Sequence, residues 1–170
     1  MLDVYASDVL AGQLFRSTAE RKRYVFGYRD DCPSAGAVSL TMPVVREQYA
    51  HDGTLHPIFD MNLPEGELAE SIKRRFRKAV ERFDDLDFLR IVGQSQIGRL
   101  RFSVPGEANA DVPGQSLTEL LVHDGAADLF DELMTRYAVH SGISGIQPKV
   151  MIRDDAAPVD RLTHRGTTHI

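Results

Sequence analysis

Leu2-Asp3-Val4-Tyr5-Ala6-Ser7-Asp8-Val9-Leu10-Ala11-Gly12-Gln13-Leu14-Phe15 opens the chain. Residues 2–6 alternate and predict a strand, and residues 9–15 predict a second strand after a turn, with Gly12 in mid-run. Tyr24-Val25-Phe26-Gly27-Tyr28 is aromatic and β-branched, which suits a pleated, half-buried surface. Residues 29–34 form a loop. Ala37-Val38-Ser39-Leu40 leads to Thr41-Met42-Pro43, where Pro43 should end a strand or place it at a sheet edge. The first 45 residues therefore predict a small antiparallel sheet.

Helical spacing appears next. Asp52-Gly53 marks a turn, and His56-Pro57 keeps the following segment extended. Ile58, Phe59, Met61 and Leu63 make a short apolar stretch. Pro64-Glu65-Gly66-Glu67 opens a helix with acidic residues in its first turn. Leu68, Ile72, Phe76, Val80 and Phe83 recur at helical spacing and predict a face packed on the sheet. The other face carries Lys73, Arg74, Arg75, Arg77, Lys78 and Arg82. As a nucleic-acid patch this run competes with a simpler reading, a solvated face answered by Glu70 and Glu81. Asp84-Asp85 caps a shorter helix containing Phe88, Leu89, Ile91 and Val92, with Gly93 as its stop. Residues 98–104 alternate as a strand, and Pro105-Gly106 breaks it.

The expected organisation is an N-terminal subdomain over 1–106, a linker over 107–115, and a second part over 116–170. The linker contains Asn, Asp, Pro and Gly without periodicity. Ser116-x-x-Glu119 is a capping-box pattern before Leu120-Leu121. Ala127, Leu129, Phe130, Leu133, Met134 and Tyr137 predict an amphipathic helix running to about His140. Lys149 to Arg153 predicts a strand, and Thr163 to Ile170 another. The fold class is α+β.

Composition narrows the function classes. A hydrophobic content of 42% supports a real core, and 26% charged residues with a formal net charge of −5 describe an ordinary soluble protein. A mild acidic balance argues against direct nucleic-acid binding by the whole chain. The single cysteine, Cys32, excludes an internal disulfide and suits a reducing compartment, so the cytoplasm is the expected location. No apolar run approaches the roughly 18 residues of a membrane span, and the N-terminus lacks a secretory pattern.

The chemistry-bearing stretch is Ser141-Gly142-Ile143-Ser144-Gly145-Ile146-Gln147-Pro148-Lys149-Val150. Small residues followed by Val150-Met151-Ile152 describe a loop feeding a strand. Glycine lets a backbone approach a ligand closely, successive N–H groups can cradle phosphate, and Lys149 adds a charge at the edge. A plain Gly/Ser turn between a helix and a strand accounts for the same spacing. The stretch is neither a Walker motif nor the G-x-G-x-x-G of protein kinases.

This loop resembles the Gly-rich loop of the HipA-type toxin kinases. Three further stretches resemble the same family in the same order: Leu2-Asp3-Val4-Tyr5 with Gly12-Gln13-Leu14, then Leu40-Thr41-Met42-Pro43, then Phe59-Asp60-Met61-Asn62-Leu63-Pro64-Glu65-Gly66. Thr167-Thr168-His169-Ile170 resembles the strand after the loop. The resemblance covers nearly the whole chain. It implies an N-terminal antiparallel sheet packed with helices, followed by the first helix, Gly-rich loop and strands of a kinase-like N-lobe.

By that resemblance, Ser144, Gly145, Ile146, Gln147, Pro148 and Lys149 line the ATP phosphates, with Mg²⁺ as cofactor of the intact kinase. The implied activity is that of a serine/threonine protein kinase, the toxin of a toxin–antitoxin pair. It phosphorylates a protein of translation such as an aminoacyl-tRNA synthetase and is held by a DNA-binding antitoxin. The family's phosphate-contacting lysine comes two residues after Thr-Thr-His-Ile, and its catalytic Asp, Asn and metal-binding Asp come later. The chain is therefore expected to be catalytically inactive by itself and to hold no cofactor tightly. Family members regulate themselves by phosphorylating serines in the loop. Gly142 occupies one such position and Ser144 the second, with Ser141 adjacent. The alternative is a stand-alone, non-catalytic module that binds and inhibits a separate HipA-type kinase, although such a module has no need of residues 141–170. A strand pair split from a larger sheet also exposes an edge, so residues 141–170 are expected to be mobile or to pair with a neighbouring chain.

Other constellations have simpler explanations. His51 and His56 are five apart on an expected loop without Cys or carboxylate partners at ligand spacing, so no metal site is expected. Glu65 and Glu67 suit a helix N-terminus better than acid/base work. Cys32 has no activating neighbour, and Met42 and Met61 are expected to fill the core.

Overall fold

The computed structural model describes residues 1–20, 22–76, 83–96, 98–107, 114–115, 151–154 and 167–169, with single positions at 129, 132, 133 and 136. β1 (Leu2–Ala6), β2 (Val9–Arg16) and β3 (Arg23–Tyr28) follow the expected alternation closely. The antiparallel sheet is larger than its first three strands. β4 (Tyr49–Asp52) joins β3, and β5 (Leu100–Ser103) joins β1, giving the order β4-β3-β2-β1-β5. An α+β architecture is thus present, with the last strand of this sheet lying beside the first.

Three helices cover the sheet. α1 (Pro57–Asp60), α2 (Gly66–Phe76) and α3 (Asp85–Val92) contribute Phe59, then Leu68, Ala69 and Ile72, then Leu86, Phe88, Leu89 and Val92. These side chains join Leu2, Val4, Leu14, Phe26 and Phe102 of the sheet in one core cluster. Burying such residues is the main stabilising term, about 1.5–3 kcal/mol for each large aliphatic or aromatic side chain.

The structure corrects several local expectations. Residues 37–40 do not form a strand. Ser34–Gly36 is a short 3₁₀ turn, and Ser39 and Met42 make only an isolated bridge. The reason is the Tyr28 hydroxyl, which accepts from the Val38 N–H at 2.9 Å and donates to the Met42 carbonyl at 2.5 Å. One phenol satisfies both backbone groups, so no partner strand is needed there. Met42 is buried as expected, but Met61 is 64% exposed.

His56 is extended, but Pro57 does not prolong that state. Pro57 sits at the first position of α1, where its missing N–H costs nothing and its fixed φ suits a helix. Phe83 is not part of α2. It precedes α3 and packs on Phe88, with ring centroids 5.9 Å apart. Gly93 has a right-handed φ of −71°, so it does not stop α3 by a left-handed turn. It is small because a Cβ there would lie 2.6 Å from the Phe102 Cβ.

Further along the chain, β6 (Gly114–Gln115) pairs in parallel with β7 (Met151–Asp154), and β8 (Thr167–His169) pairs antiparallel with β7. The strand expected after the Gly-rich stretch is therefore present, and both of its neighbours come from the same chain. Of the expected helix over 127–140, residues 129, 132, 133 and 136 are described, and all four are in helical conformation. Among the described residues no helix is long and apolar enough to cross a membrane.

Candidate functional site

A highly charged hollow among the described residues encloses about 500 Å³ and is lined by Arg16, Ser17, Glu20, Lys22, Arg23, Tyr24, Gly53, Asp84 and Asp85. Its floor is built where β2 ends and α3 begins. Asp84 is the N-cap of α3. Its Oδ1 accepts from the Leu86 N–H at 3.0 Å and the Asp87 N–H at 3.1 Å, while Asp87 Oδ2 accepts from the Asp84 N–H at 3.3 Å. That reciprocal pair satisfies donors which the first helical turn leaves without intrahelical partners.

Arg16 then grips this cap from the end of β2. Its Nε donates to Asp84 Oδ2 at 2.5 Å and its Nη2 to Asp84 Oδ1 at 2.7 Å, a bidentate fork. The same Nη2 lies 2.6 Å from Asp87 Oδ2. Hydrogen bonding to Asp84 raises the Arg16 pKa further above its usual range. Partial burial disfavours ionisation of Asp84, but the Arg16 fork and the helix amides outweigh it and hold the carboxyl below its ordinary value. Burial, reinforced by the charges of Asp84 and Asp85, pushes the Tyr24 phenol up to about 12, so it stays protonated. Burial, with Asp60 and Asp84 nearby, also raises Asp85.

This arrangement is a clasp between sheet and helix. Arg23 is likewise answered, by Glu20 at 2.6 Å and Asp52 at 3.7 Å. Among the described residues no three His, Cys, Asp or Glu side chains converge as metal ligands. A second, more open hollow of about 600 Å³ is lined by Gln13, Phe15, Gly27, Tyr28, Arg29, Asp30, Asp31 and Gln48. There too the guanidinium is paired, with Arg29 Nε 2.8 Å from Asp31 Oδ1.

Asp84→Ala removes the cap and the bidentate fork, leaving Arg16 paired with Asp87. It is expected to cost about 2 kcal/mol near neutral pH, roughly 1 from the cap and up to about 1 from a partly exposed ion pair. Because the folded carboxyl titrates below its unfolded value of 3.8, this stabilisation is complete above that value and lost as pH falls through the folded one. Urea titrations should therefore show a gap between wild type and variant that narrows in acid. A gap independent of pH would remove the ionised clasp from the account.

Residues assigned to the site by sequence are distributed differently. Ser141, Ser144, Gly145, Ile146, Gln147, Pro148 and Lys149 lie outside the described residues, as do Arg77, Lys78 and Arg82. Lys73 of the basic run is engaged by Glu70 at 3.8 Å and stands 5.5 Å from the Phe88 ring centroid. The Asp84 cap is legible in sequence. Its partner Arg16 is not, because the two stand 68 residues apart and no local pattern connects them.

A search of curated proteins finds no match to the chain. A family model, that of the HipA N-terminal domain, matches residues 2–103. Those limits run from the first residue of β1 to the last of β5, the two strands that pair side by side and complete the five-stranded sheet. The match spans the whole five-stranded sheet, and the chain belongs to the HipA family through this N-terminal domain.

Proposed function

We propose that the chain is the N-terminal portion of a HipA-type serine/threonine protein kinase, in which residues 144–149 form the loop over the ATP phosphates. The observation that carries this reading is the family match across the whole five-stranded sheet. The order of the later elements supports it: the Gly-rich stretch leads into β7, which pairs with the Thr167–His169 strand. The donor set fits a polyphosphate. Gly145, Ile146 and Gln147 offer consecutive backbone N–H groups, Pro148 offers none, and Lys149 offers a cation. Magnesium-bound ATP would supply the phosphoryl group, while this part of the chain positions and neutralises the phosphates. By the same family reading, the acceptor is a hydroxyl on a protein of translation, and a DNA-binding antitoxin restrains the kinase.

The test is calorimetry of the whole gene product with ATP and magnesium. Binding should be clear in the wild type and at least about tenfold weaker in Ser144→Asp, because a carboxylate in a phosphate cradle repels the ligand. Labelled γ-phosphate should reach a protein hydroxyl. If the intact product binds no ATP, the kinase reading falls and a non-catalytic module that acts on another kinase replaces it.

A further inference from the structure

Two histidines meet where β4 turns into α1. Their ring centroids are 5.5 Å apart at an interplanar angle of 75°. Hydrogen-bond polarity assigns them different roles. The His51 Nδ1 lies 3.0 Å from the Thr54 carbonyl, which only accepts, so that nitrogen carries a hydrogen whether the ring is neutral or cationic. The His56 Nδ1 accepts the Ile58 N–H at 3.3 Å. An amide N–H only donates, so that nitrogen carries no hydrogen and His56 must be the neutral Nε2–H tautomer. His56 is the N-cap of α1, and the segment it ties down carries Leu55 and Phe59, both essentially inaccessible to solvent.

We propose that this corner is an acid-released latch: neutral His56 holds the first turn of α1, and a proton arriving on its Nδ1 releases that turn. Protonation turns the acceptor into a donor facing another donor, so the ring must swing away and leave the Ile58 N–H unpaired. It also places a charge beside His51, which keeps its own bond to Thr54 in either state. The described titratable and charged groups around the corner are His51 and Asp52 on β4, Arg23 and Tyr24 opposite them on β3, and Asp60 in α1 with Asp85 beyond it. Arg23 and Asp52 answer one another. Burial first, and then the His51 charge, lower the His56 pKa from its ordinary value. A depressed histidine contributes stability that is complete above the unfolded value of about 6.5 and lost as pH falls through the lower folded value. The latch therefore opens on the acid side only.

The experiment is an NMR titration of the chain between about pH 8 and pH 5, bracketing the histidine range, following the ring nitrogens of both histidines and the Ile58 amide. At the alkaline end His56 should show the Nε2–H tautomer. Its midpoint should fall below about 6.5, and the Ile58 amide resonance should move with that same midpoint. Exchange protection of Ile58, corrected for intrinsic rates, should drop by about tenfold across the transition. His51→Gln should raise the His56 midpoint. His56→Asn keeps an acceptor oxygen at the cap but cannot titrate, so it should preserve the Ile58 bond and abolish its pH dependence. A wild-type His56 midpoint at or above about 6.5 would overturn the latch. So would an Ile58 amide indifferent to that midpoint, or unchanged pH dependence in His56→Asn.

Discussion

Gly12→Ala is expected to destabilise the N-terminal domain by about 3 kcal/mol or more, the upper end of what overpacking costs. β2 lies in the centre of the sheet, between β1 and β3. Its pairing with β1 shifts register between Val4↔Gly12 and Tyr5↔Leu10, so the strand is bulged beside Gly12. On the other side Gly12 faces Tyr28, and a Cβ there would stand 2.1 Å from the Gly27 carbonyl oxygen and 2.9 Å from the Tyr28 Cα. Those are backbone atoms of a hydrogen-bonded ladder and have no rotamer to change. The strands would have to part, and ladder bonds would lengthen on both sides of the contact.

The nearby glycine on β3 supplies the control. A Cβ on Gly27 would meet only the Gln48 side chain, at 3.5 Å or more. Gly27→Ala is therefore expected to stay within about 1 kcal/mol of wild type, with reduced unfolded-state entropy helping it. In thermal unfolding, Gly12→Ala should lower Tm by about 10 °C or more, since each kcal/mol is worth several degrees in a domain of this size. Equal losses from the two substitutions would contradict the close backbone approach at Gly12.

Phe59→Ala should cost about 3–5 kcal/mol, the range for truncating a buried aromatic ring into a cavity. Phe59 is fully buried although its helix has only four residues. Its ring centroid lies 5.2 Å from Phe26 on β3 and 6.1 Å from Phe102 on β5, so one side chain bridges strands separated by β2 and β1 in the sheet order. Removing it deprives both strands of a shared contact, and the adjacent backbone, closed by the Asn62 Nδ2 donating to the Ile58 and Phe59 carbonyls, has little freedom to collapse into the gap. In urea the midpoint should fall with the slope unchanged. Met61→Ala, two residues away but 64% exposed, should stay within about 0.5 kcal/mol of wild type. A small loss at Phe59 would mean that the aromatic cluster is not what joins α1 to the sheet.

The clasp and the latch show which parts of a site a sequence reveals. Asp84 declares itself, because an aspartate just ahead of an apolar helical run is a cap whatever surrounds it. Arg16 does not, because an arginine at a strand end has no preferred partner until the sheet brings it to α3. The histidine corner is similar. His51 and His56 are visible in sequence as neighbours on an expected loop, but whether each Nδ1 donates or accepts depends on the group that the ring faces. Tyr28 extends the same point to the fold: an aromatic residue in a strand is ordinary, yet its hydroxyl decides that residues 38–42 turn instead of pairing.

By itself, the amino-acid sequence determined the α+β class, the first three strands, the apolar face of α2, the capped start of α3 and the strand after the Gly-rich stretch. Each of these is set by side chains a few residues apart, through alternation, helical spacing or capping, and needs no knowledge of distant chain. The tertiary structure alone decided that Tyr49–Asp52 and Leu100–Ser103 flank the sheet, that Gly93 makes room for Phe102, and that Arg16 closes on Asp84. Those choices depend on which remote segments can be packed together without a clash or an unpaired polar group. That is settled by the three-dimensional fit of the whole domain, because the local pattern at either partner is compatible with many others.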